Sequence, residues 1–203
     1  MITEPMPIQD EQRFQSALGR FDEENSRDPN HQLVDGVEQP RELVYARWLT
    51  AWVERLCPAA SEELRLAARC QHVCRWIVPR ANYPMTRAGY LQWREGLKKF
   101  HAQKAGEILR EVGYPEEMVT RVQRLNLKKD FPKDADCQVL EDALCLVFLE
   151  RQLGDLAAKS SEDKVINALQ KSWAKMTPKA RELALGLPYT AEEKALLDKA
   201  LKQ

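Results

Sequence analysis

The sequence predicts an all-α protein, a single-domain bundle of seven to nine helices. Three observations predict it. Apolar residues recur at helical spacing in one segment after another. No segment shows convincing alternation at a spacing of two. Of 203 residues, 44% are hydrophobic, enough for one real core in a chain of one-domain length.

Residues 1–10 hold two prolines and little to bury, so a flexible N-terminus is expected, with the domain spanning 11–203. From Glu11, "EQRFQSALGRFDEEN" places Phe14, Leu18 and Phe21 at helical spacing. A long polar loop, "SRDPNHQLVDGVEQP", follows. Pro40 opens a second helix, where its missing N–H is no loss. That helix, "RELVYARWLTAWVERL", carries Tyr45, Trp48, Leu49, Trp52, Val53 and Leu56 on one side. Ser61 caps a third, expected to run through "LRLAARCQHVCRWI" and to stop before Pro79. Thr86 starts a long helix that Gly113 closes. "PEEMVTRVQRLNL" is the next helix and "KKDFPKDADC" a loop. "QVLEDALCLVFLERQLGDLAA" is apolar around most of its circumference, the mark of a buried helix. Two amphipathic helices, near 161–176 and 191–202, complete the chain.

Composition narrows the function. Lys plus Arg and Asp plus Glu each number 31, so the net charge is zero. A neutral balance gives no whole-chain reason to expect nucleic acid or an anionic membrane as partner. No apolar run approaches the roughly 18 residues of a membrane span, and "MITEPMPIQDEQ" does not read as a secretion signal. Five cysteines, an odd number without CxxC spacing, read as reduced thiols in a cytoplasmic protein, each a small buried apolar side chain.

The residues that can carry chemistry are few. His72, read on a helix, shares a face with Ala68, Arg69, Arg75 and Trp76, opposite the stripe of Leu64, Ala67, Cys70, Cys74 and Ile77. It either stands on the surface among solvated arginines or lines a site. His101 has Leu97, Lys98, Lys104 and Ala105 as helical neighbours and is either a satisfied core histidine or part of that site. Glu141, Asp142 and Glu150 interrupt the apolar helix. A buried carboxylate needs a cation, a set of donors or a raised pKa, so each either pairs with a basic residue or holds a metal. Glu42 stands at a helix start, where the dipole favours an acid. Arg75, Arg80, Arg87, Arg94 and Lys104 are interleaved with aromatics and can form an anion pocket, arginine being a planar fork for phosphate or carboxylate.

Nearly the whole chain, Arg13 to Ala200, resembles the family called domain of unknown function 4202. The segments "RFQSALGRFDEEN", "RCQHVCRW", "YPMTRAGYLQWREGLKKFHAQKAGEIL" and "LEDALCLVFLE" carry that resemblance. More remotely, the helix order resembles the HD-domain metallohydrolases. There, Glu42 stands at the first His position, Gln71 and His72 replace the His-Asp pair, His101 sits on a later helix, and Asp142 or Glu141 takes the late Asp position. Three of the four signature positions hold another residue type. The resemblance implies a divalent transition metal (zinc, iron, manganese or nickel) on Glu42, His72, His101 and Asp142. Glu141 would be general base, and Arg75, Arg80, Arg87, Arg94 and Lys104 would hold a small anionic substrate, phosphorylated or nucleotide. The reaction would be hydrolysis or, with a redox metal, oxygen chemistry. The alternative is a non-catalytic helical module that binds an anion or a partner and has lost the metal site.

Overall fold

A computed structural model describes residues 8–202, so most of the segment expected to be flexible, residues 1–7, lies outside the described residues. The all-α prediction holds. Among the described residues there are ten α-helices, not seven to nine, and one two-stranded sheet. The chain divides into two compact units, residues 1–137 and 138–203.

The first unit opens with α1 (Glu11–Ser26), capped by Asp10, whose carboxylate accepts the Arg13 N–H, and burying Phe14, Ala17, Phe21 and Asn25. The stretch read as a loop then folds into an antiparallel hairpin, β1 (His31–Val34) and β2 (Val37–Pro40). Asp35 and Gly36 both have positive φ, 51° and 80°. This is the turn that "DG" between two short runs favours. Both strands are largely exposed, so no buried face imposed a strong alternation on them.

Next come α2 (Arg41–Leu56), α3 (Glu62–Cys70), α4 (Arg87–Glu111) and α5 (Glu116–Leu127). α4 packs on α5, α2 on α3, and α3 on both α5 and α1. Ser61 and Thr86 cap α3 and α4 as expected, accepting from Leu64 and Gly89.

α3 does not continue towards Pro79. It stops at Cys70, and two short 3-10 turns follow, Arg75–Ile77 and Arg80–Asn82. Side chains from other helices take the backbone groups that a longer helix would have used. Asn25 of α1 accepts the Cys74 N–H at 3.0 Å, and the Val73 carbonyl is 2.9 Å from His101 of α4. Cys74 is left-handed, φ 56°. The loop to α4 is held by Arg80, whose guanidinium donates to the carbonyls of Tyr83, Pro84 and Thr86. It lies so close to α4 that a Cβ on Gly89 would come within 2.2 Å of the Pro84 carbonyl oxygen.

α6 (Ala135–Arg151) runs from the end of the first unit into the second. The second unit adds α7 (Leu153–Lys159), α8 (Glu162–Lys175), α9 (Pro178–Leu185) and α10 (Ala191–Lys202). Leu140, Ala143, Leu146, Val147 and Leu149 are all buried, as an all-round apolar α6 requires. The extra helices come from a break at Gln152, which separates α7 from α6, and from α9, which Thr177 caps with Pro178 at its start.

Candidate functional site

In the first unit three elements bring Glu42, His72 and His101 together. Glu42 is the second residue of α2, and its backbone N–H donates to the buried Asp28 carboxylate at 3.1 Å. One turn further on, Tyr45 stacks on the His72 ring, with centroids 4.3 Å apart and planes within 17°. His72 lies in the turn after α3, and His101 lies midway along α4. Their ring centroids are 5.6 Å apart.

The hydrogen bonds set both tautomers. A carbonyl oxygen only accepts, so His101 Nδ1 carries the proton it gives to Val73. Its Nε2 is then a bare lone pair, buried and without a hydrogen-bond partner. His72 Nε2 is 3.4 Å from Arg75 Nη1. A guanidinium only donates, so Nε2 accepts and Nδ1 holds the proton. That Nδ1 is 3.5 Å from Glu42 Oε2, within ion-pair range but long for a hydrogen bond, and it too is buried without a hydrogen-bond partner.

One cation, Arg75, and one acid, Glu42, are in direct reach of His72. Arg75 Nε is 3.7 Å from Glu42 Oε1, and its guanidinium lies 5.1 Å from the Trp93 ring centre. Trp93 is itself fixed by donating to the Val78 carbonyl at 2.9 Å. Burial, then the charges of Arg75, Arg94, Lys128 and Arg41, hold the His72 pKa well below its ordinary value. Burial, with His72 next, lowers His101 to about 3. Both rings are therefore neutral near pH 7. Burial raises the Glu42 pKa, opposed by Arg75, Arg41 and His101, and burial lowers that of Arg75.

The remaining predicted residues have other partners or lie exposed. Arg69, expected beside His72, makes two 2.7 Å bonds to Asp22, because the chain leaves its helix between Arg69 and His72. Arg80 spends its guanidinium on the carbonyls of its own loop, Lys104 pairs with Glu24 at 3.8 Å, and Arg87 is exposed in the first turn of α4. Arg94, also exposed, still acts electrostatically on His72 and Arg75. Asp142 and Glu141 belong to the second unit. Asp142 accepts from the Thr177 N–H at 2.9 Å, the Thr177 hydroxyl at 2.6 Å and Gln138 at 3.1 Å. Glu141 pairs with Lys175 at 2.8 Å. Cys70 and Cys74 are buried free thiols, each pushed up to about 12 chiefly by burial.

Sequence reasoning missed two contributors, Tyr45 and the Val73 carbonyl; Trp93 is one of the aromatics interleaved with the basic residues. Tyr45 sits three residues after Glu42, on the same helical face, and that spacing was a usable signal. The Val73 carbonyl had none, since only the break in α3 frees it.

The donor types suit a transition metal: two neutral imidazoles and a carboxylate. The space does not. The Arg75 cation already stands against both His72 Nε2 and Glu42 Oε1. Among the described residues no group of three or more His, Cys, Asp or Glu is placed to hold a metal ion. No described helix is long and apolar enough to cross a membrane.

A family model described as domain of unknown function (DUF4202) matches residues 15–197. No curated protein and no solved structure matches the chain. A match over almost the full length shows that the chain belongs to the domain of unknown function DUF4202 family.

Proposed function

We propose that the first unit binds a small anionic molecule at the His72–His101 centre and does so without catalysing its turnover. One observation carries this: Arg75 is in contact with His72, and Arg41 and Arg94 act on that ring with the same sign. Arg41 and Arg94 are exposed, and the Arg75 side chain is 24% exposed, so these cations are open to solvent. Cations beside neutral donors and acceptors favour phosphate or carboxylate.

Calorimetric titration with inorganic phosphate tests this. Binding is expected in the wild type and should weaken more than tenfold in Arg75→Met, since a charge-assisted hydrogen bond is worth about 1.5–3 kcal/mol. Arg94→Met should weaken it less. No binding in the wild type would end this reading.

A second reading, a metal-dependent hydrolase of HD-like type, draws on the His101 tautomer. An imidazole that gives Nδ1–H to a carbonyl and keeps Nε2 bare has the form of a metal ligand. That reading requires Arg75 to leave its place. Metal analysis of untagged protein decides it. About one equivalent of zinc, iron, manganese or nickel, lost in both His72→Ala and His101→Ala, favours the hydrolase.

A further inference from the structure

From the unfilled acceptor at its centre, we infer that the anion-binding site takes a hydroxylated phosphate ester, with His101 Nε2 accepting a hydrogen bond from a ligand hydroxyl. The inference rests on the anion reading and adds to it the chemistry of the rest of the ligand.

His101 is 3% exposed, yet its Nε2 has no hydrogen-bond partner. Leaving a buried polar atom without a partner costs about 1–3 kcal/mol, so a bound molecule that donates to Nε2 recovers that cost. Nε2 can take only a hydrogen-bond donor, because Val73 has fixed the proton on the other nitrogen. The oxygens of a phosphate ester dianion carry no proton and cannot supply one. The neighbouring Glu42 carboxylate is a second acceptor, buried, and its two basic contacts are no closer than 3.5 Å and 3.7 Å. Two acceptors beside a cluster of cations call for a ligand with both kinds of group: an anion for Arg75 and one or more hydroxyls for His101 and Glu42. A phosphorylated polyol or sugar has that composition. An alkyl phosphate dianion lacks the second half.

Three probes separate the parts of this proposal: inorganic phosphate, propyl phosphate and glycerol 3-phosphate. The two esters match in charge and chain length and differ in hydroxyls. Glycerol 3-phosphate is expected to bind the wild type about tenfold more tightly than propyl phosphate, the factor for one neutral hydrogen bond of roughly 1.4 kcal/mol. In His101→Asn the side-chain amide can still donate to Val73 but has no atom at the Nε2 position. The tenfold preference, read as the ratio of the two esters' affinities, should shrink to about twofold or less. Equal binding of the two esters by the wild type overturns the inference and leaves the anion site standing. A tenfold preference that survives in His101→Asn also overturns it. Failure of all three probes to bind the wild type removes the anion reading and this one with it.

Discussion

The two units each bury carboxylates, and they treat them differently. In the second unit Asp142 receives three hydrogen bonds, two of them from Thr177 at the start of α9, and Glu141 meets a lysine at 2.8 Å. These acids hold helices in place. In the first unit Glu42 has its basic neighbours only at 3.5 Å and 3.7 Å, and His72 and His101 each keep a buried nitrogen without a hydrogen-bond partner. Burial of a polar side chain is thus a weak pointer to function. Incomplete satisfaction is a stronger one where several unmet groups meet, as at His72, His101 and Glu42; single atoms of Asn126 and Tyr189 are buried without a hydrogen-bond partner as well.

The comparison breaks if the second unit's acids prove dispensable for stability. Asp142→Ala should destabilise the protein by roughly 3–4 kcal/mol in urea unfolding, since it strands a backbone N–H and a hydroxyl at Thr177. It should leave phosphate affinity unchanged. A stable variant that has lost phosphate binding would instead make Asp142 a ligand-site residue.

A somewhat smaller effect is expected on the acid side of neutrality. His101 is depressed to about 3 in the folded protein, against an ordinary value near 6.5. The unfolded chain takes up this proton first as pH falls, so stability is full above about 6.5 and is lost between there and about 3. Over pH 7 to 4 the loss from this group is on the order of 3 kcal/mol. His72, also depressed, acts in the same direction, whereas the raised pKa of Glu42 acts oppositely. Urea midpoints for wild type and His101→Asn across this range check it. The variant should show a shallower acid slope, and parallel slopes would place His101 in an ordinary solvated setting.

The smallest effect sharpens the contrast between the centre and its surroundings. Lys104→Met removes a half-buried ion pair to Glu24 and should change stability by under about 1 kcal/mol and phosphate affinity by less than twofold. A tenfold loss of affinity would return Lys104 to the anion site.

Much of the fold was legible. Ser61 and Thr86 announced two helix starts, and the apolar circumference of α6 announced a buried helix. The site was legible as a list of residue types but not as an arrangement. A helical wheel placed Arg69 with His72, and the chain turns away between them. Lys104 and Arg80 carry the same charge as Arg75, and sequence alone cannot say that an acid in α1 takes one and a loop's own carbonyls the other. The Asp35–Gly36 turn was readable, but its exposed strands lack the alternation that would have confirmed it.

By itself the sequence determined that this chain is helical and that four of its five cysteines are buried thiols, Cys57 being only partly buried, and it singled out His72, His101 and a few acids, Glu42, Glu141 and Asp142 among them, as candidates for chemistry. Local periodicity, caps and composition settle such matters, because they depend on neighbours a few residues away. Tertiary structure alone decided where α3 ends, which nitrogen of each histidine bears the proton, and which buried acids are satisfied. Those outcomes depend on Asn25, Val73, Arg75 and Thr177, partners brought in by packing and hydrogen bonding that no local pattern in the chain records.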